Sequence, residues 1–517
     1  MKRSWADILV KRKIRLDPRW KDHPGIQEFC RNIELRVNDP AASVMKDDAA
    51  AKVAVVPFNG RHLVIKQYNP KTWYKAAGRS VRKSKAQKTW DNALYMRQSG
   101  IDTVAPVAII KDGLGCLTLR SFFVCEYIAG PHARSFFGDF EKKADEFLKA
   151  AERIVDSLIA VHARAIFLGD TKDTNIIVGT DRVCWVDLDA VTVPRLPWIA
   201  QRKKIRDWQV FFYNWRHSRT VRKLFLDVLR TRTDEKEFRR LQFALAVYAG
   251  RKFSPRPSAR TTGIFNDQEQ IAAEAQSMAD CCRAAPGWQK VQSSQNAVVA
   301  RKQTSCAGIY CKVFLPRNRR ERFKRLFRPG RGARAVKSEH MMRAAGFDVP
   351  ETLCRGQKGG KDYIVSKAIE GIKLDLWLDR RDHPPGFRRM VLKRLGEEVG
   401  ALHATGFSHG DLRLGNILLQ MDGKTPLFYF LDNERTRLYR RIPRREVVKN
   451  LRQINTDAVS RLSRTDRLRI FRAYQKTCGN RFTVRQEKEL LTEVEAKTAK
   501  RRARFRSTTD TALSASP

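Results

Sequence analysis

Two short apolar runs, "RHLVIKQY" (61–68) and "GIYCKVF" (308–314), each meet a lysine, Lys66 and Lys312. Runs of this length and make-up are β-like. Beyond each strand comes a basic helical segment, "KSKAQKTWDNALYMRQSGI" (83–101) and "RAVKSEHMMRAAGF" (334–347). Each has a glycine at its end, suited to stop a helix. A proline and an apolar strand follow, "SFFVCEYIAG" (121–130) in one case and "DYIVSKAIEG" (362–371) in the other. Each series closes with an amphipathic helix, a loop reading G-D-x-x-x-x-N, and a strand ending in Asp-x-acid, "VCWVDLD" (183–189) and "FYFLDNE" (428–434).

The same elements in the same order, about 240 positions apart, predict an internal duplication whose unit is a whole domain and not a short solenoid repeat. The expected organisation is a first domain over 1–250, a linker over 251–285, a second domain over 286–497 and a basic disordered tail over 498–517. The linker opens with "RKFSPRPSARTTG", rich in Pro, Ser and Arg, and the tail reads "KRRARFRSTTDTALSASP". At 517 residues and 42% hydrophobic content the chain can bury real cores.

The repeated loop carries the candidate chemistry. An Asp on such a loop can take a proton from an attacking hydroxyl, and an Asn five positions on can offer its side-chain carbonyl to a divalent metal. An Asp from the next strand can bind the same metal, and a strand Lys can hold nucleotide phosphates. Together these are the parts of a kinase-type phosphoryl-transfer site. The first half supplies Lys66, Asp170, Asn175 and Asp187; the second supplies Lys312, Asp411, Asn416 and Asp432. Lys172 and Arg413, two residues past the loop Asp, can neutralise charge on the transferred group. A lone D-x-x-x-x-N arises often by chance; two copies with a Lys strand before and an Asp strand after do not.

Some parts are missing. Neither half has a G-x-G-x-x-G before its strand Lys, and no Walker A loop is present. Glu339 is placed to pair with Lys312, whereas the first half offers only Asp91 in the corresponding helix. Leu168 stands where the second loop has His409, so the first copy is the more divergent and the catalytic expectation rests first on Asp411 and then on Asp170. His162 and His403 each precede the loop Asp by eight residues and are expected to brace the loop by hydrogen bonding.

With these residues in hand the chain resembles the lipopolysaccharide core kinase family (Kdo/WaaP type). The resemblance rests on "LVIKQYN", "KTWDNALYMRQSGIDTVAPVA", "FFVCEYIAG" and "LGDTKDTNIIV…WVDLDAV" in the first half, and on "AAGFDVPETLCRG", "LHATGFSHGDLRLGNILL" and "FLDNE" in the second. It covers most of 50–250 and 300–440. It implies an α+β chain of two tandem protein-kinase-like bilobal domains, each with an antiparallel β N-lobe and a mostly helical C-lobe. It further implies ATP and Mg²⁺ as cofactors, and a Kdo or heptose hydroxyl of the lipid A–core as acceptor at the cytoplasmic face of the inner membrane. A pseudokinase scaffold, or a protein or small-molecule kinase of the same fold, are the alternatives.

A net charge of +47 favours polyanionic partners, which include a phosphorylated glycolipid and an anionic membrane surface. The densest basic run is "RNRRERFKRLFRPGRGAR" (317–334), with Phe323, Leu326 and Phe327 interleaved as on a surface helix resting on lipid; a solvated charged face reads equally well. Residues 201–240 and 435–453 are similarly Arg-rich. No nucleic-acid motif accompanies the charge. The ten cysteines show no C-x-x-C spacing and read as reduced thiols. The N-terminus has no signal-peptide pattern and no segment is long and apolar enough for a membrane span, so the expected location is cytoplasmic, with peripheral contact to the inner membrane.

Overall fold

The computed structural model describes all of the chain except residues 1–10, 50, 70–82, 115–116, 140–142, 254–267, 282, 292–295, 306, 317–328, 381, 480–482 and 514–517. It divides into two units, Met1–Thr233 and Asp234–Pro517. Most of the basic run at 317–334 lies outside the described residues.

In the first unit, six strands form one antiparallel sheet: β1 (Lys11–Leu16), β2 (Ser43–Asp48), β3 (Ala51–Phe58), β4 (Arg61–Tyr68), β5 (Pro106–Leu114) and β6 (Leu117–Glu126), ordered β1-β5-β6-β4-β3-β2. The β-like run read at 61–68 is β4: Leu63 and Ile65 are buried on one face, packed with Val107, Phe122 and Val124 under two short helices, Ile26–Arg31 and Ile33–Val37. Lys66 sits on the central strand β4, paired with Val53 of β3 and Phe123 of β6. Helix α1 (Lys85–Gln98) packs beside β5 and β6, started by Ser84, whose side chain accepts the Gln87 N–H.

The rest of this unit is mostly helical. In α2 (Ala144–Ala163), Ala150, Ala151, Ile154, Val155, Leu158, Val161 and His162 are buried, a stripe at i, i+3, i+4 spacing, with Asp145 and Glu146 in the first turn to favour the helix dipole. The loop after α2 leads into a small hairpin, β7 (Ile176–Val178) with β8 (Val183–Trp185). Helices α3 (Pro197–Asn214) and α4 (Arg219–Arg232) complete the lobe around a ring cluster of Trp208, Phe211, Trp215 and Phe225.

The second unit begins with α5 (Glu235–Lys252), expected from the sequence to close the first half. Its buried face carries Gln242 and Ala246; the Gln242 amide donates to the Ala345 carbonyl at 2.6 Å, and Ala246 joins the second unit's core. The stretch expected as linker contains α6 (Gln268–Cys281), whose Ile271, Ala275, Met278 and Ala279 cover one face of a five-stranded antiparallel sheet. That sheet runs β12 (Thr352–Lys358), β13 (Lys361–Lys367), β11 (Gly308–Phe314), β10 (Ala297–Gln303) and β9 (Gln289–Lys290). Lys312 is again on the central strand, opposite Val299 and Ile364. Helix α7 (Arg331–Ala344) follows β11, its start fixed by Asp362, which accepts the Gly332 N–H at 3.0 Å.

Its helical lobe is built on α8 (Pro385–Ala404), α9 (Arg444–Ala458), α10 (Arg464–Thr477) and α11 (Val484–Leu513). Helices α8 and α10 approach closely because Gly396 and Gly400 face α10; a Cβ on either would collide with the Ile470 or Tyr474 carbonyl. The second G-D-x-x-x-x-N loop connects β14 (Phe407–Ser408) to a hairpin of β15 (Ile417–Asp422) and β16 (Thr425–Phe430). Helix α11 continues to Leu513, so the tail expected to be disordered from 498 is helical up to that residue. Leu490, Val494 and Thr498 are buried, and the segment is rich in Ala, Lys, Glu and Arg, all good helix formers.

The α+β expectation is met: each unit sets an antiparallel sheet before a mostly helical lobe. Seven cysteines are described and all are free thiols. Among the described residues no helix is long and apolar enough to cross a membrane.

Candidate functional site

In both units the strand lysine, the loop Asp–Asn pair and the strand-end Asp come together. In the first, the Lys66 ammonium donates to Asp187 and, at 3.1 Å, to Asp189. Burial alone would lower the Lys66 ammonium, but the two carboxylates outweigh it and hold it above its ordinary value. Asp189 also accepts from the Tyr68 hydroxyl at 2.5 Å and the Thr89 hydroxyl at 2.7 Å. Burial would raise this carboxyl, yet Lys66 and the two hydroxyls keep it below its usual range. In the second unit Lys312 pairs with Asp432, whose carboxyl is likewise lowered against the effect of burial, chiefly by Lys312.

Asp187 and Asp432 share an uncommon backbone. Both have left-handed conformations, φ 60° and 57°, in non-glycine residues that immediately follow the hairpin. The turn aims each carboxylate back toward the Lys strand. In each loop the Asn side-chain NH₂ donates to the backbone carbonyl of the loop Asp, Asn175 to Asp170 at 3.1 Å and Asn416 to Asp411 at 2.9 Å. That bond orients the amide and leaves its oxygen as an acceptor. Side chains of Asp187 and Asp432 are about 40% exposed despite their lysine partners. An amide oxygen beside an open carboxylate is a donor set that fits a hard divalent cation such as Mg²⁺. Lys172 folds back on Asp170 at 2.7 Å, and Arg413 lies close enough to Asp457 and Arg452 to affect both electrostatically.

Glu339 does not take the place expected of it. Its carboxylate accepts from Arg343 at 2.5 Å and from the backbone N–H and hydroxyl of Thr352, the N–H at 2.9 Å, and does not contact Lys312. Burial pushes its pKa up against the pull of Arg343 and Thr352. Asp91 is held by Lys83 and Gln87 at 2.7 and 2.8 Å, away from Lys66. The partner of Lys66 that sequence reasoning missed is Asp189, the second acid of D-x-D. Its counterpart Glu434 instead grips Arg331 through two bonds of 2.8 and 3.0 Å, both side chains nearly buried.

The loops are held from behind by residues that the motifs did not reveal. Asp207 of α3 is fully buried and accepts the Leu168 N–H at 2.9 Å, the Gly169 N–H at 2.8 Å and His162 Nε2 at 3.1 Å. In the second unit Asn450 of α9 takes this place: its Oδ1 accepts the His409 N–H at 3.2 Å and His403 Nε2 at 3.1 Å. Gln453 adds a bond from the Leu412 N–H at 3.1 Å and donates to the Gly410 carbonyl and to Asp411, at 3.2 and 3.3 Å. The histidines expected to brace the loops do so. Burial drives His403 down to about 4, so it stays neutral, its Nδ1 accepting from Tyr474 at 3.0 Å. His409 is fully buried beside Phe430, and burial lowers its pKa too. An acid inside the apolar run "RDWQVFF" (206–212) was the one sequence signal for Asp207.

A cleft of about 270 Å³ opens beside Lys66 in the first unit. Ala51, Val53 and Val64 from the sheet and Ile177 and Val186 from the hairpin give it apolar walls, and Asp187 lies at its inner end beside Lys66. The strand end Glu126–Ile128 lines another side. An apolar cleft with an ionic cluster at its inner end suits a planar base attached to phosphates.

Residues 292–474 match the "Lipopolysaccharide kinase (Kdo/WaaP) family" model. A segment of 179 residues is 29% identical to the lipopolysaccharide core heptose(I) kinase WaaP of Escherichia coli, covering 32% of this chain and 67% of that protein. Among solved structures, WaaP in complex with acyl carrier protein aligns at 19% identity and a TM-score of 0.31, over 41% of this chain and 88% of that one. The PknI kinase domain of Mycobacterium tuberculosis aligns at 12% identity and a TM-score of 0.25, over 40% and 87%.

Proposed function

We propose that this chain, a member of the Kdo/WaaP lipopolysaccharide kinase family through its residues 292–474, is an ATP-dependent phosphotransferase that phosphorylates a Kdo or heptose hydroxyl of the lipid A–core. The observation that carries the reading is the convergence of Lys312, Asp411, Asn416 and Asp432 inside the segment that matches the family. In this reading Asp411 accepts the proton of the sugar hydroxyl as its oxygen attacks the γ-phosphorus. The bond from that phosphorus to the bridging oxygen breaks, and ADP leaves. Arg413 neutralises charge on the transferred group, and Lys312 holds the nucleotide phosphates once it releases Asp432. Asn416 and Asp432 are the residues that would hold Mg²⁺, which when bound spreads phosphate charge. Glu339 acts by positioning α7 through Arg343 and Thr352.

The first unit binds nucleotide in its cleft with Lys66, Asn175 and Asp187, and Asp170 with Lys172 gives it a second, weaker transfer site. The two units are products of a tandem duplication, and the enzyme works in the cytoplasm on the inner face of the inner membrane, to which its basic surfaces hold it peripherally. A nucleotide-binding scaffold is the second reading for the first unit alone, favoured by Leu168 and by the double carboxylate grip on Lys66. Transfer of the γ-phosphoryl of labelled ATP to purified lipid A–core tests both. Asp411→Asn should lower incorporation by orders of magnitude and Asp170→Asn by less. Full incorporation in both variants would remove the catalytic assignment, and loss only in Asp411→Asn would make the first unit a scaffold.

A further inference from the structure

Behind the transfer loop of the second unit, α9 and α11 enclose a pocket of about 290 Å³. Arg445, Lys449 and Arg452 reach it from one face of α9, at i, i+4 and i+7, and Lys497, Lys500 and Arg501 from one face of α11. Val448 is the remaining lining residue, and no carboxylate lines the pocket. Nearby acids engage part of this charge: Glu493 takes Lys497 at 2.7 Å and Glu446 takes Lys449 at 3.4 Å. Among the described residues none supplies a carboxylate to Arg452. Like charges at helical spacing repel, so the convergence of these side chains on one small cavity favours an anion there.

The position is as informative as the charge. Arg452 feels the positive charges of both Arg501 across the pocket and Arg413 on the transfer loop, and burial with this repulsion lowers its pKa. Lys449 also lines a neighbouring, larger cavity of about 620 Å³, whose lining includes Arg331, Arg334, Lys337 and Arg437 as well as Glu434 and Glu446. The pocket is bounded and small, and its lining carries no aromatic side chain on which a nucleic-acid base could stack. It fits one or two phosphate groups and not an extended polymer backbone.

We propose that the α9–α11 pocket binds a phosphate group already carried by the acceptor glycolipid, anchoring it so that a hydroxyl elsewhere on the same molecule reaches Asp411. This rests on the acceptor reading above and makes a prior phosphate part of what the enzyme recognises. The test measures kcat and KM of the full-length protein with lipid A–core in mixed micelles, intact and after phosphatase treatment. Wild type is expected to prefer the intact acceptor by about tenfold or more in kcat/KM, through KM, as charged hydrogen bonds of this kind provide. That preference should collapse toward one in Arg452→Gln, and in the surface double variant Lys500→Gln/Arg501→Gln, which spares the core. Equal losses on both acceptors, or an unchanged preference, would overturn the proposal. If wild type phosphorylates neither acceptor, the functional reading fails, and calorimetry with inorganic pyrophosphate still decides the pocket. Saturable binding lost in both variants supports it, while no binding, or displacement of pyrophosphate by an RNA oligonucleotide at lower concentration than by the glycolipid, overturns it.

Discussion

Replacing Asp207 with Asn isolates what holds the first transfer loop in place. Asp207 has no solvent exposure, and three donors point at its two oxygens: the backbone N–H groups of Leu168 and Gly169 at 2.9 and 2.8 Å and the His162 ring at 3.1 Å. Asn has the same shape but one oxygen, so its NH₂ must face one of these donors. At least one backbone N–H then loses its bond inside the protein, a cost of about 1–3 kcal/mol. If local opening of the loop governs exchange, amide hydrogens there should exchange roughly 5- to 150-fold faster. Hydrogen-exchange mass spectrometry on the full chain reads this in peptides covering 164–178, with 403–419 of the second unit as the internal reference. Phosphoryl transfer assigned to Asp170 should fall with it. Unchanged exchange at 164–178 would show that Asp207 does not hold the loop and would refute the reasoning, whatever happened to activity.

Other consequences are open to direct measurement. His403 is neutral in the fold down to about pH 4 but takes up a proton near 6.5 when unfolded, so between these values the unfolded state binds more protons and stability falls as pH falls. The loss approaches about 3 kcal/mol for the second unit at the acid end, and His403→Gln should flatten the pH dependence of urea unfolding over that window. Lys66→Met leaves Asp187 and Asp189 facing each other without a cation and should destabilise the first unit by roughly 1–3 kcal/mol at neutral pH. Because Lys66 holds Asp189 below its usual range, its contribution is present above the ordinary carboxylate pKa and lost in acid. The difference between wild type and variant in denaturant titrations should therefore narrow as pH drops. Gly400→Ala forces α8 away from α10 and should lower the second unit's melting temperature through an overpacking cost of about 1–3 kcal/mol, visible by calorimetry.

What was legible in the sequence was what local pattern encodes. The Lys strand, the G-D-x-x-x-x-N loop and the Asp-x-acid strand each announce themselves within about ten residues, and the fold brings them together as the order of elements required. Glu339 was misplaced because spacing cannot see competition: Arg343 one turn on and Thr352 on the next strand both bind it, so its carboxylate is spent before Lys312 can compete. Helix 235–252, read as closing the first half, donates from Gln242 to Ala345 and sets Ala246 in the second unit's core; its buried Phe, Leu, Gln and Ala positions say that it packs but not on what. The loop supports were hidden by distance, Asp207 lying 37 residues after Asp170 and Asn450 lying 39 after Asp411. They also differ in chemistry. A carboxylate in the first unit takes two backbone N–H groups by itself, while the second divides the same task between the Asn450 and Gln453 amides, and Gln453 reaches on to Asp411. Asp207 reaches the first loop only through the Leu168 and Gly169 N–H groups and His162, whereas the Gln453 amide holds the second loop's backbone and also donates directly to the Asp411 side chain. What Gln453 supplies is therefore orientation: it fixes the Asp411 carboxylate from behind the loop, while the Asp170 carboxylate is engaged from its own loop by Lys172 at 2.7 Å, so the two loops hold the same acid by different routes that the shared G-D-x-x-x-x-N pattern does not distinguish.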